Sequence, residues 1–100
     1  MDPFFIMQNE DKTFRIECKI VIYRHLLQFH PNFVHPIGDD IDGFYTKYYF
    51  LIKDNISTKE EAKIETKQLN EMYKNIIEHA ENTGDWEKFP FKNNTIIYYK

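Results

Sequence analysis

The sequence has 100 residues and a mass of 12.2 kDa, which leaves room for one hydrophobic core, so we expect residues 1–100 to form a single domain. Its 9 Phe, 7 Tyr and 1 Trp exclude an intrinsically disordered chain, and its 3 Gly and 4 Pro exclude a collagen-like or linker-like one. The formal net charge of −3 argues against strong nonspecific DNA binding, which needs a basic surface.

The first 23 residues predict a β-hairpin. A short apolar run over residues 3–8 is followed by a polar cluster, 9–12, with the composition of a turn. Over residues 13–23 apolar and polar side chains alternate, which is typical of a half-buried strand. The face predicted to be buried carries Phe14, Ile16, Cys18, Ile20 and Ile22, and the opposite face carries Arg15, Glu17, Lys19, Val21 and Tyr23.

Residues 25–43 predict an ordered loop with short pieces of secondary structure, because Pro31 and Pro36 interrupt regular structure. The stretch 26–29 fits either a helical turn or the end of the preceding strand. A second long strand is predicted over 44–53, and since both of its faces are bulky we expect it to be central in the sheet. One face carries Phe44, Thr46, Tyr48, Phe50 and Ile52, and the other carries Tyr45, Lys47, Tyr49, Leu51 and Lys53.

An amphipathic helix is predicted over residues 58–82. Ser57 with Glu60 and Thr58 with Glu61 both fit a capping box, in which the two side chains bond free N–H groups of the first turn. Gly84 is suited to end the helix in a left-handed conformation. The stripe expected to face the sheet consists of Ala62, Leu69, Tyr73, Ile76 and Ala80, with Met72 and Ile77 at its edges.

An aromatic loop over 85–94 and a closing strand over 95–99 complete the predicted order β-β-β-α-β. This order describes an α+β fold, in which a mainly antiparallel sheet of three to four strands packs one face against one long helix. The sequence leaves the order of the strands within the sheet open.

The lone cysteine, Cys18, falls on the buried face of its strand, where we expect a small apolar residue rather than a reactive thiol. A single cysteine cannot form an internal disulfide, and no signal peptide or membrane-spanning run is predicted, so we expect a cytoplasmic protein. The many Ile, Asn, Lys, Tyr and Phe residues have AT-rich codons, which favours an AT-rich bacterial, phage or viral gene.

A group of histidines and aspartates suggests one catalytic hypothesis. Imidazoles and carboxylates are ligands of Zn²⁺, Mn²⁺ and Fe²⁺, so a small metal-dependent enzyme could use this loop. However, side chains five residues apart do not share one face of a helix or strand. The sequence also shows no nucleophile–base pair and no phosphate-binding glycine loop. We therefore expect no bound metal, no cofactor and no enzyme. The residues concerned are His25, His30, His35, Asp39, Asp40 and Asp42.

The face of the sheet that one helix cannot cover carries aromatic, aliphatic and lysine side chains, and Ile64 falls on the outward side of the helix. Soluble monomers rarely expose a large contiguous apolar patch. We therefore predict a non-catalytic protein-interaction module, an inhibitor or adaptor that occupies a partner's surface. A homodimer, formed by two such faces stacking, is the expected assembly. The predicted partner-binding residues are Val21, Tyr23, Tyr45, Lys47, Tyr49 and Leu51.

Two alternatives use the same residues. Tyrosines interleaved with lysines on a sheet can stack bases and contact phosphates, which would make the chain a single-stranded nucleic-acid-binding domain. The few arginines and the net acidity weigh against that function. The other alternative is a solvated face along which the lysine stems lie.

Overall fold

The computed structural model of the protein describes residues 2–27, 45–97 and 99. The elements in these ranges are β1 (Phe4–Gln8), β2 (Phe14–Tyr23), α1 (Arg24–Leu27), β3 (Tyr45–Ile56), α2 (Lys59–Thr83) and β4 (Ile96–Ile97). The strands form one sheet in the order β1-β2-β3-β4, and every neighbouring pair is antiparallel. The predicted α+β fold, with one long helix between the third and fourth strands, is confirmed.

The hairpin joining β1 and β2 closes through its backbone. Asn9 N–H donates to the Thr13 carbonyl at 2.8 Å, and Lys12 N–H donates to the Asn9 carbonyl at 3.0 Å. Lys12 has a φ of 69°, the left-handed conformation that a three-residue hairpin loop with a bulge requires. The polar cluster at 9–12 is therefore the turn that its composition predicted.

Both predicted ends of α2 are confirmed. Thr58 Oγ1 accepts a hydrogen bond from Glu61 N–H at 3.2 Å, which is the N-cap half of the capping box. Gly84 has a φ of 77°, and its N–H donates to the Ala80 carbonyl at 2.7 Å. A Cβ at Gly84 would lie only 3.1 Å from the Cβ of Leu26 in α1, so glycine here serves both the turn and the packing of α1.

The core lies between α2 and the face of the sheet that the sequence predicted to be buried. Rings from the loop after α2 close it, since Phe89 lies 5.3 Å from Phe50 and 5.4 Å from Trp86 between centroids. Their burial extends the core beyond the helix–sheet contact. The sheet residues with no exposed surface on this face are Ile16, Cys18, Ile20, Ile22, Thr46, Tyr48 and Phe50.

The predicted stripe of α2 is partly wrong. Ile77 is 1% exposed and belongs to the core, whereas Ile76 is half-buried and Met72 is 64% exposed. Neighbouring helical positions differ by about 100°, so the contact is rotated towards Ile77 relative to the predicted stripe. Ile64 is exposed, as predicted.

The predicted position of Lys53 on the outer face of the sheet is also wrong. The strand register shifts, so that Glu17 lies opposite Leu51 but Ile16 lies opposite Lys53. The extra residue, Ile52, forms a β-bulge that turns Lys53 towards the helix side, where its Nζ lies 2.6 Å from Glu65 Oε1. The closing strand is shorter than predicted, because among the described residues of 95–99 the strand β4 consists of Ile96–Ile97, while Thr95 and Tyr99 lie outside it.

Candidate functional site

The face of the sheet turned away from α2, here called the outer face, collects the predicted partner-binding residues. Strand pairing places Tyr23 opposite Tyr45, and Val21 opposite Lys47. Paired residues of antiparallel strands share a face, so these side chains are neighbours. Further along the face, Lys19 lies opposite Tyr49, and Glu17 lies opposite Leu51. The structure thus brings all six predicted residues onto one surface.

One half of the outer face is a partly exposed aromatic surface, here called the tyrosine patch: Val21, Tyr23, Tyr45 and Lys47. The rings of Tyr23 and Tyr45 meet edge to face with their centroids 6.4 Å apart; Tyr23 is 46% exposed, whereas Tyr45 is half-buried. The Lys47 ammonium lies 5.3 Å from the centroid of the Tyr45 ring, within the range of a cation–π contact. The patch therefore presents two rings that are held in place by each other and that retain solvent-accessible area, most of all at Tyr23.

The other half of the outer face holds a buried carboxylate, in what is here called the carboxylate cluster: Arg15, Glu17 and Tyr99. Glu17 has no exposed surface. Arg15 Nε donates to Glu17 Oε2 at 2.6 Å, and the Tyr99 hydroxyl lies 2.6 and 2.7 Å from the two Glu17 oxygens. Arg15 Nη1 also donates to Asn9 Oδ1 at 2.6 Å, which ties the cluster to the hairpin turn.

The protonation states follow from these contacts. Burial, and then the hydrogen bond to Glu17, raise the pKa of the Tyr99 hydroxyl, so it keeps its proton and donates it to the carboxylate. The hydrogen bonds to Tyr99 and Glu17 raise the pKa of Arg15, which stays cationic. A buried carboxylate is tolerated when it is paired with a cation and hydrogen-bonded, as Glu17 is. This arrangement satisfies Glu17 internally and gives the cluster a structural role.

Tyr49 belongs to the closed half of the face. Its ring meets Tyr99 edge to face at 4.8 Å between centroids and Phe5 at 6.1 Å. Of the predicted partner-binding residues, Tyr49 is therefore committed to packing within the chain. Glu17 and Tyr99 were not among the predicted site residues. The signal for the former was Arg15, two residues away on the same strand face, but no local pattern pointed to Tyr99.

The other candidate chemistries have little geometric basis in the residues that the structure describes. Cys18 is buried, as predicted, and burial, together with the nearby Glu81 charge, raises the pKa of its thiol. His25 is exposed and lies against the Tyr23 ring, 6.2 Å between centroids. His30, His35 and the three loop aspartates lie outside the described residues. Within 2–27, 45–97 and 99, no three His, Cys, Asp or Glu side chains form a group that could hold a metal ion.

No known protein family, curated protein or solved structure matches this chain. Among the described residues, no helix has both the length and the apolar character needed to span a bilayer. A functional proposal therefore depends on the surface chemistry of the chain itself.

Proposed function

We propose that this chain is a non-catalytic protein-interaction module, and that it binds an acidic partner protein through the tyrosine patch. The observation that carries the proposal is the edge-to-face pair of the exposed Tyr23 and the half-buried Tyr45 on the outer face, with Lys47 against the Tyr45 ring. The partner's identity is defined only by this chemistry.

The aromatic rings supply the binding energy in this proposal. Tyrosine is enriched among the residues that dominate protein–protein affinity, because a large rigid ring buries much area at little entropic cost. In the patch, the rings of Tyr23 and Tyr45 already restrain each other before any partner arrives. A surface that is ordered in advance loses less entropy on binding.

The charge of the patch sets the class of partner. Strand segments 19–23 and 45–49 contain Lys19 and Lys47 but no carboxylate. Lys19 lies near the Glu81 carboxylate, which accepts from Val21 N–H at 2.9 Å, so the positive charge on which the choice of partner depends is that of Lys47. A partner surface with Asp or Glu side chains around an apolar centre would complement this local positive charge and be oriented by it. Two copies stacked face to face about a two-fold axis through the patch would instead bring Lys47 close to its own counterpart. The charge therefore favours a different protein over a face-to-face homodimer.

A displayed library of random peptides tests this proposal. It is selected on the wild type and counter-selected on the double variant Tyr45→Ser, Lys47→Glu. We expect the enriched peptides to combine acidic residues with an apolar or aromatic anchor. Tyr45→Ser should weaken their binding about 30-fold, the effect of losing one central aromatic anchor. Lys47→Glu should weaken it about tenfold and reduce its salt dependence.

Met72→Ser is the matched control, because Met72 is an exposed apolar residue on the helix, away from the sheet. This variant should bind the selected peptides as the wild type does. The proposal fails if the selected peptides bind the double variant equally well, or if none are enriched. It also fails if mixed single-stranded oligonucleotides bind the patch with a steep salt dependence, which is the signature of nucleic-acid binding.

A further inference from the structure

The free edge of the sheet at β1 is a second surface, separate from the tyrosine patch. Among the described strands, β1 lies at one end of the order and has β2 as its neighbour. Hydrogen bonds from Lys19 N–H to the Pro3 carbonyl and from Asn9 N–H to the Thr13 carbonyl, both 2.8 Å, fix the alternation of the β1–β2 ladder. In an antiparallel ladder every second residue bonds the neighbouring strand. Residues 3, 5, 7 and 9 therefore face β2, and residues 4, 6 and 8 face outward.

The first outward residue, Phe4, is already occupied. Its N–H donates to Asn70 Oδ1 at 2.9 Å, and its carbonyl accepts from Asn70 Nδ2 at 3.1 Å. The side-chain amide of Asn70 thus takes the place of a neighbouring strand at this position. No described residue gives such a partner to the backbone of Ile6 or Gln8. Within the part of the chain that the structure describes, these two residues leave four backbone groups available on an edge where Gln8 is exposed and Ile6 is half-buried. Such an edge is a template for strand addition.

The net charges at the two ends of this edge are of opposite sign. A groove of about 530 Å³ runs between β1 and α2, and its charged lining consists of Lys63, Lys67 and Lys74 with Asp2 and Glu71. Lys74 Nζ lies 3.6 Å from Asp2 Oδ1, so this lysine already has an acidic partner within the chain. The exposed turn at the other end of β1 carries Glu10 and Asp11 beside Lys12. One copy of the chain therefore presents a groove with a small excess of positive charge and a turn with a small excess of negative charge at the same sheet edge.

We propose that two copies of this chain pair through β1, antiparallel, about a two-fold axis at Met7. In this register Ile6 of each copy exchanges two hydrogen bonds with Gln8 of the other, so that all four free groups on each copy are used. A register centred on Ile6 would need the backbone of Phe4, which Asn70 occupies. The side-chain amide of Asn70 therefore selects the register.

The same register matches the charges. With Ile6 opposite Gln8, the strand of the second copy ends at its own Gln8, and its turn, which carries Glu10, follows beside the Asn70 amide that occupies the Phe4 backbone. Lys67 lies three residues before Asn70 on α2 and lines the groove there, so we expect Glu10 of the second copy to come close to Lys67. The two-fold axis repeats this contact, giving two such charge pairs in each dimer.

Substitution of Gln8 by proline tests the backbone pairing. Proline removes the outward N–H of Gln8, and since that group does not bond β2, the β1–β2 ladder is left intact. Light scattering at several concentrations should show the wild type approaching twice the 12.2 kDa of one chain. Gln8→Pro should weaken dimerisation by at least about tenfold. Gln8→Ala keeps the N–H and is the matched control, which should dimerise as the wild type does.

A charge exchange tests the register without altering the backbone. Glu10→Lys and Lys67→Glu should each weaken dimerisation about tenfold, because each creates two like-charge contacts in the symmetric dimer. The double variant Glu10→Lys, Lys67→Glu restores opposite charges and should dimerise nearly as well as the wild type. Only a contact between two copies, in this register, produces that recovery.

The outcomes separate this proposal from the proposed function. A wild type that stays at 12.2 kDa up to millimolar concentration overturns the edge dimer. So does a dimer that Gln8→Pro leaves intact and the charge exchange does not affect. Tyr45→Ser should leave the dimer unchanged while removing peptide binding at the tyrosine patch. If Tyr45→Ser dissociates the dimer, the two copies associate through the outer face instead.

Discussion

The two faces of the sheet are built from alternate residues of the same strands, yet they are stabilised in different ways. The inner face is apolar and close-packed against α2 and the rings of Trp86 and Phe89. The outer face holds a buried carboxylate, Glu17, and an exposed ring pair, Tyr23 with Tyr45. The alternation of residues along the strands therefore predicts which side chains share a face, but it does not predict whether packing, hydrogen bonds or solvent surrounds them.

The difference follows from what covers each face. A helix with an apolar stripe can remove most of a sheet face from water, so the inner positions are occupied mainly by apolar residues that gain from burial. Thr46, which is buried among them, and the exposed Lys53 near the end of β3 are the polar exceptions. Among residues 2–27, 45–97 and 99, the segment after α2 covers the outer face where Tyr99 reaches Glu17 and Tyr49. Its covered half depends on specific hydrogen bonds, and its open half retains surface for a partner.

The largest effect should come from adjacent residues on opposite faces of β3. Phe50 is fully buried against Phe89, so Phe50→Ala should reduce the free energy of unfolding by about 3–5 kcal/mol. Leu51 is half-buried on the outer face, and Leu51→Ala should cost only about 1 kcal/mol. Urea denaturation of both variants measures the contrast. Equal losses would show that the outer face contributes as much packing energy as the inner one.

A smaller effect should come from removing one hydroxyl on the outer face. Tyr99→Phe keeps the ring against Tyr49 but removes the proton donated to Glu17, leaving Arg15 as its remaining charged partner. Weakening the satisfaction of a buried carboxylate should cost about 1–3 kcal/mol. Tyr23→Phe, on the open half, is the control and should leave the urea midpoint unchanged. If both variants behave alike, the carboxylate cluster does not stabilise the fold.

The inner face was predictable because its signal is local. Alternation along β2 and β3 identified Ile20 and Phe50 as core residues, and capping chemistry identified the ends of α2. The errors arose where position depends on pairing. Lys53 changes side because a bulge at Ile52 shifts the register, and the bulge has no signature in the composition of the strand.

The candidate site was predictable only in part, for the same reason. The tyrosine patch follows from alternation in two strands. Burial of Glu17 depends on Tyr99, which lies 82 residues away and reaches it only because β4 pairs Ile97 with Tyr49. The pairing of Asn70 with the Phe4 backbone likewise has no sequence signal, since any polar residue on that flank of α2 fits the helical pattern.

The smallest predicted effect comes from the edge of β2 that extends beyond the start of β1, here called the rim. Beyond the start of β1, the edge of β2 is met by a side chain, because Val21 N–H donates to Glu81 Oε2 at 2.9 Å. Partial burial of this carboxylate raises its pKa, and the Val21 hydrogen bond, which lowers it, does not outweigh that burial. The neighbouring Glu78 also raises the pKa of Glu81, while Lys19 lowers it. Folding therefore favours the protonated, neutral form of the Glu81 carboxyl group.

This direction fixes the sign of a pH effect. Because the pKa of Glu81 is higher in the folded than in the unfolded chain, its contribution to stability is present at acid pH and is lost as the pH rises through the folded value. Glu81→Gln keeps a carbonyl that accepts from Val21 N–H but does not ionise. Relative to this variant, the wild type should become less stable between about pH 4 and pH 7. Urea midpoints of both proteins across that range measure the difference, and an NMR titration of the Glu81 carboxyl gives an independent reading. If the urea midpoints of the two proteins run parallel across this pH range, folding does not penalise the charged form of Glu81. The Val21 N–H would then compensate this carboxylate for its partial burial, as Arg15 and Tyr99 compensate Glu17.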